Sequence, residues 1–326
     1  MTVPARLPVG LAALATALAL ALTGCAGGTT RVLPSAPPAS PSSSAAAPSA
    51  APLPGCSDDN STRVATYRPD GALPSALQLP PTSTMAKIKQ RGRLIVGVSA
   101  DKLLFGFRDP ISGKLEGFDI DMVDQVANAI FGTTNRRVEY RVVTSTQRIP
   151  ALSSDQVDLV ADTMTINCAR WSQAAFSAEY FHAGQQILVR KDSAATGIVD
   201  LDGKKVCSAT GSTGSENLKK YPRVVPVLVN AISDCMVLFQ QGSVDGIISD
   251  NTSVAGFEAQ DPYAKVVGPR ITDEPYGLAM PKQNRDFVKF VNALLARLRA
   301  DGTWKQIYSR WITGPVPNPP TPVYGR

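Results

Sequence analysis

A single histidine, His182, serves the whole chain of 326 residues. That scarcity removes most acid–base chemistry at neutral pH and every histidine-rich metal site. The five cysteines form no Cys-x-x-Cys pair, so neither a structural zinc site nor any other metal or cofactor is expected. No GxGxxG or Walker pattern is present, which argues against a phosphate-binding loop. Charged residues make up only 18% of the chain, and the net charge of +6 comes from scattered Lys and Arg without aromatic-interleaved basic runs. Nucleic acid is therefore not an expected partner. The one long apolar run, LPVGLAALATALALA near the N-terminus, is too short to cross a bilayer comfortably. With 44% hydrophobic residues, the chain still has enough apolar surface for a real core, and length enough for two lobes.

What is present begins at the N-terminus. MTVPAR carries one Arg, the apolar run follows, and LTGC stands directly after it. This resembles a bacterial lipoprotein signal, with residues 1–24 removed and Cys25 lipidated; an ordinary secretory signal or an anchor helix is the alternative. Each of these exports the chain. Export leaves Cys56, Cys168, Cys207 and Cys235 in an oxidising compartment, where an even number implies two disulfides. Three connectivities are open. Cys207 with Cys235 is preferred because both lie in one later segment, and Cys56 with Cys168 then staples the N-terminal segment to the body. Residues 25–84, rich in Pro, Ser and Ala, read as a tether, and residues 314–326 as an extended Pro-rich tail.

Between these flanks, strand-like and helix-like stretches alternate. RLIVGVSAD, RRVEYRVVT and VDLVADT read as strands, with FDIDMVDQVANAIFG and TQRIPALSSDQ as helices between them. The second half repeats the scheme with KKVCSAT, VVPVLVN and VDGIISD. The expectation is an α/β fold of two lobes, each a mainly parallel sheet flanked by helices. The repeat aligns Thr163 with Asp250 at the carboxyl ends of equivalent strands, where open α/β sheets bind ligands. DTMTINCAR, just after one such strand, places Arg170 near a helix start, where a cation opposes the macrodipole unless it and the free N–H groups serve one guest anion.

The ordered series LIVGVSAD, FRDPISGKLEGFDIDMVDQVA, RIPALSSDQVDLVADTMTINCAR, DGKKVCSATGSTGS, VDGIISDNTSV, PYGLAMPK and DGTWKQIYSRWITG resembles the polar amino-acid solute-binding proteins of bacterial ABC importers, family 3 type. The resemblance implies a clamp with a first lobe from residues 85–190 and 272–313, a second lobe from 191–271, and crossovers near Lys191 and Ile271. It implies that Arg170 pairs with a ligand α-carboxylate, that Thr163 and Thr165 add backbone and hydroxyl groups, and that Asp250 takes the ammonium. Asp250 reads equally as a helix N-cap. From the second lobe, Ser212 and Thr213 are the implied contacts. Arg148 matches the position that reads a side-chain carboxylate in glutamate- and aspartate-binding members, and Lys102 stands near a contact position. Phe107 or Phe105 is expected to touch ligand methylenes, and Phe118 to pack the core. Ser99 stands where many members carry Asp, which leaves acid against amide open.

The implied function is a monomeric, non-catalytic, lipid-anchored receptor on the extracytoplasmic (periplasmic) face of the cell membrane. It would capture glutamate or aspartate, or glutamine or asparagine, for an importer permease or a membrane sensor. The competing class is a dehydratase- or lyase-like enzyme on the same fold, resting on carboxylates such as Asp162. Lipidation is directly checkable. Cys25→Ser is expected to move the expressed protein from the detergent phase to the aqueous phase on detergent partitioning; retention with the membrane would reassign the leader as an anchor helix.

Overall fold

The computed structural model describes residues 55–59, 62–133, 135 and 137–326. The expected signal peptide, Cys25 and the first part of the tether lie outside the described residues.

Two five-stranded sheets organise the body, and they share one topology. In the first, Leu94–Val98 lies between Val138–Val142 and Leu159–Ala161, all parallel; Ala279–Pro281 then pairs antiparallel with the third strand, and Ala174–Phe176 with it. In the second, Lys205–Ala209 lies between the parallel strands Val225–Val229 and Gly246–Asp250, followed by Gln185–Arg190 and Ala264–Val267, both antiparallel to their neighbours. Each sheet is thus mixed, with four strands running in one direction and one, Ala279–Pro281 or Gln185–Arg190, running against them. The reversed strand is in each case the one that follows a crossing between lobes, and the sheets are otherwise parallel, as expected.

The first crossing also falls earlier than expected. Gln185–Arg190 belongs to the second sheet, so the boundary expected between residues 190 and 191 lies one strand too late. The chain crosses where Phe181–Ala183 and Glu274–Tyr276 pair antiparallel as a two-stranded ribbon. An apolar strand such as QQILVR carries no sign of which sheet it joins, because both bury it alike.

The last two helices close the first lobe. In Thr303–Trp311, Trp304 is buried and its indole N–H donates to the Tyr180 carbonyl at 2.7 Å, while Trp311 donates to Asp121 at 2.7 Å. These aromatics anchor the helix, as near-helical spacing suggests.

The described residues from Cys56 to Ser83 pack on the body rather than forming part of the tether. Its Thr66 N–H donates to the Val323 carbonyl of the tail at 2.9 Å, and the Thr66 hydroxyl donates to the Phe176 carbonyl at 2.7 Å. Arg326 lies 4.2 Å over the Trp171 ring. Disulfides join Cys56 to Cys168 and Cys207 to Cys235. The second lies wholly within the smaller lobe and closes a sequence separation of 28 residues. Replacing Cys207 and Cys235 together by Ser is expected to lower unfolding stability by about 2–4 kcal/mol in denaturant titration; an unchanged midpoint would show that packing alone holds Lys205–Ala209 to Ile232–Gln240.

Candidate functional site

The strand Leu159–Ala161 ends in Asp162 and Thr163, and the chain turns sharply there. Thr163 has φ 43°, a left-handed conformation that a β-branched residue adopts only under constraint. Its N–H donates to Asp119 Oδ2 at 2.7 Å, and Tyr180 donates to the other oxygen of that carboxylate at 2.5 Å. Burial pushes the Asp119 carboxyl up to about 6 in spite of these two bonds.

Around this turn the side chains line a cavity of about 190 Å³ between the two sheets, which suits a small polar solute better than a drug-sized one. From the first lobe come Lys102, Arg148, Asp162, Thr163, Thr165 and Arg170; from the second come Ser212, Thr213 and Asp250. The structure therefore brings together eight of the nine residues singled out as ligand contacts. Phe107 is the exception. It packs edge-on against Trp311 at 6.2 Å and is absent from the lining. Phe105 is buried against Phe118 and Phe181. Aromatic contacts, with Trp311 for Phe107 and within the buried core for Phe105, take both rings away from the polar cavity.

Arg148 and Lys102 share one partner that sequence reasoning had not paired with them. Lys102 Nζ reaches Asp162 Oδ1 at 2.5 Å and the Thr163 hydroxyl at 2.8 Å, while Arg148 Nε stands 3.6 Å from Asp162 Oδ2 and its guanidinium donates to the Asp162 carbonyl at 3.2 Å. Asp162 follows an apolar strand, and only its place at the strand end hints that it meets cations.

Arg170 sits in the short helix Cys168–Trp171, whose N-cap Asn167 accepts the Arg170 N–H at 2.8 Å. Its guanidinium donates to two carbonyls, Thr165 O at 2.7 Å and Gly211 O at 3.4 Å. The second contact crosses the cleft. Burial, and next the nearby positive charge of Arg148, pulls the Arg170 pKa below its usual value. Glu179 pairs with His182 at 2.7 Å and not with Arg170.

Asp250 precedes the helix Asn251–Gln260 but makes no side-chain cap bond. Its Oδ2 accepts instead from the Tyr276 hydroxyl at 2.7 Å. Burial, and then the Glu274 carboxylate, pushes its carboxyl up to about 7. Ser212 caps the helix Thr213–Leu218, accepting from Ser215 N–H at 3.1 Å and donating to Ala209 O at 2.6 Å. The lobes meet closely at this rim. A Cβ at Gly211, where φ is 76°, would stand 2.8 Å from the Thr146 side chain of the other lobe, and Ser233 N–H donates to Asp101 at 3.2 Å. Among the described residues no group of three or more His, Cys, Asp or Glu side chains is placed to hold a metal ion.

Comparison with known proteins gives this geometry a context. Residues 94–314 match the family model of bacterial extracellular solute-binding proteins, family 3. The ABC transporter glutamine-binding protein GlnH of Bacillus subtilis is 36% identical over 231 residues, covering 70% of this chain and 84% of that one. The glutamate-binding protein GluB of Corynebacterium glutamicum is 31% identical over 230 residues, 67% of this chain and 78% of that one. Among solved structures, an ancestral arginine-binding protein bound to glutamine aligns with a TM-score of 0.64 and 36% identity, covering 68% of this chain and 98% of that one.

The buried Asp250 generates a prediction that needs no ligand. Its folded-state pKa of about 7 lies above the ordinary 3.8, so the folded chain holds more protons than the unfolded one between these values. The stability this contributes is present below about pH 4 and lost as pH rises through about 7. Asp119 adds the same sign in the same window. The melting temperature of ligand-free protein should therefore fall less steeply from pH 4 to pH 7 in Asp250→Asn than in wild type; parallel profiles would show that Asp250 titrates normally.

Proposed function

This chain belongs to the bacterial extracellular solute-binding proteins of family 3, binding proteins of amino-acid import rather than enzymes, and from that premise we propose that it captures L-glutamate or L-aspartate, or their amides, for an ABC importer. The observation that carries this reading is the pairing of Arg170 and Asp250 from opposite lobes on one small cavity. A planar guanidinium matches a carboxylate fork, and a buried carboxylate matches an ammonium. An α-amino acid presents both groups, so bridging the lobes stabilises the closed clamp over the open one.

Beyond the shared backbone of the ligand, Arg148 and Lys102 face its side chain. With Asp162 between them the cluster keeps one net positive charge, which favours a side-chain carboxylate and accepts an amide oxygen. A cationic side chain would meet repulsion there. On the same reading the N-terminal lipid on Cys25 holds the protein at the outer face of the cytoplasmic membrane, and the closed form is what the importer permease recognises.

Calorimetry on protein unfolded and refolded to strip bound solute is the test. Binding of glutamate, aspartate, glutamine or asparagine is expected in wild type, and Arg170→Ala should cost about 2–5 kcal/mol of affinity by leaving the α-carboxylate unpaired. Arg148→Ala should weaken the acids more than the amides. Near-wild-type affinity in Arg170→Ala would remove that residue from the site. Binding of glutamine alone would reject Arg148 as a carboxylate reader.

A further inference from the structure

Glu274 opens the second crossing strand, Glu274–Tyr276, and is buried. Sequence reasoning gave it no role, and it is absent from the cavity lining. Its surroundings are nonetheless unusual. One carboxylate oxygen accepts from the Thr165 hydroxyl at 2.6 Å and from the Thr213 hydroxyl at 2.8 Å. The other accepts from the Thr272 hydroxyl at 2.7 Å and the Gln185 side-chain amide at 2.9 Å. Asn217 in turn donates to the Gln185 carbonyl oxygen at 2.9 Å and so fixes which end of that amide faces Glu274. Four donors fill the lone-pair sites of one carboxylate.

These donors come from different bodies. Thr165 belongs to the first lobe, Thr213 and Asn217 to the second, and Gln185 and Thr272 flank the two crossings. The bond from Thr213 therefore requires the lobes to be together. Each hydroxyl also has only one hydrogen. Thr165 gives its own to Glu274, so what it can still offer the cavity is an oxygen lone pair, on the same lining as the Asp250 carboxylate.

We propose that Glu274 is a positioning residue for amino-acid capture: it draws the hydroxyls of Thr165 and Thr213 from opposite lobes onto one oxygen, which latches the closed clamp and turns Thr165 into an acceptor for the ligand's ammonium group. The role rests on the amino-acid-binding reading above. A carboxamide at this position has one acceptor oxygen instead of two, and its N–H groups face hydroxyls that must then reverse. Reversal would point the Thr165 proton toward the ammonium.

The test compares wild type, Glu274→Gln, Thr213→Val, Thr213→Ser and the Glu274→Gln/Thr213→Val double variant, by calorimetry with L-glutamate and L-glutamine and by small-angle scattering with and without them. Glu274→Gln is expected to weaken binding by about tenfold or more, the scale of one hydrogen bond to a charged group. Thr213→Val should weaken it similarly, Thr213→Ser should restore it, and the double variant should be little worse than the poorer single one. The pH at which affinity is half-maximal should also fall in Glu274→Gln, because the Glu274 charge no longer holds the Asp250 carboxyl up. A merely structural glutamate would not produce that shift. Wild-type affinity in Glu274→Gln, or full additivity with Thr213→Val, overturns the proposal. If Glu274→Gln fails to fold, the contrast between Thr213→Val and Thr213→Ser decides it, equal affinities overturning the latch. If wild type binds neither amino acid, the ligand reading falls, and scattering of the ligand-free proteins decides the latch: a larger radius in Glu274→Gln supports it, and an unchanged radius overturns it.

Discussion

A charge taken out of water must find a partner or be neutralised, and the cleft is arranged around that cost. Asp162 meets it for two cations at once, holding Lys102 at 2.5 Å and Arg148 at 3.6 Å. Arg170 and Asp250 are treated differently. Among the described residues the Arg170 guanidinium has only carbonyl acceptors, and the Asp250 carboxylate only a phenol donor. Both shift toward their neutral forms, Arg170 downward and Asp250 to about 7, with burial as the first cause in each case. A half-buried cation and a buried anion left without ionic partners on opposite walls of one cavity are costly to a chain whose net stability is a small difference of large terms. That cost is recovered when a solute supplies both missing charges.

The two lobes carry opposite shares of this imbalance. The first lobe lines the cavity with Lys102, Arg148 and Arg170 against Asp101 and Asp162, and the second with Asp250 alone among charged groups. The field across the cleft thus runs from a positive wall to a negative one. A zwitterion laid across it with its carboxylate toward Arg170 and its ammonium toward Asp250 has its dipole along that field, so each step of closure brings opposite charges together as water leaves. On the proposed reading, closure and recognition are the same event. A simple anion would satisfy the first lobe and leave Asp250 buried beside it, which is how such a cleft discriminates without touching more of the ligand.

Much of this was legible in the sequence because the signals were local. Strand ends mark where ligands sit in an α/β sheet, so the repeat of VDLVADT and VDGIISD already put Thr163 and Asp250 at one cleft. Arg170 stood out because a cation at a helix start is unfavourable without an anion. What escaped was settled by distance in the chain. Gln185–Arg190 reads as a strand, but its choice of the second sheet depends on the partners Gly246–Asp250 and Ala264–Val267, which lie far along the sequence. Phe107, expected at the ligand from the resemblance, meets Trp311 from the far end of the chain instead. The pairing of Asp162 with both Lys102 and Arg148, and the donors around Glu274, are likewise meetings of remote residues that no spacing rule encodes.

The same remoteness explains why the last helix matters to a cavity it does not line. Thr163 is held at positive φ by its bond to Asp119, Asp119 is fixed by Tyr180, and the Tyr180 carbonyl is in turn held by the Trp304 indole of the last helix. Around that line Phe118 packs against Tyr180, Phe181, Trp304 and Tyr308. A strained backbone persists only where its surroundings over-determine it. The turn at Thr163 stands between Asp162, which faces Lys102 and Arg148, and Thr165, which faces Glu274. Burial of aromatic surface some distance from the cleft, with the Trp304 hydrogen bond, therefore offsets the strain that sets the cleft's polar groups, and the helix Thr303–Trp311 supports the cleft without lining it.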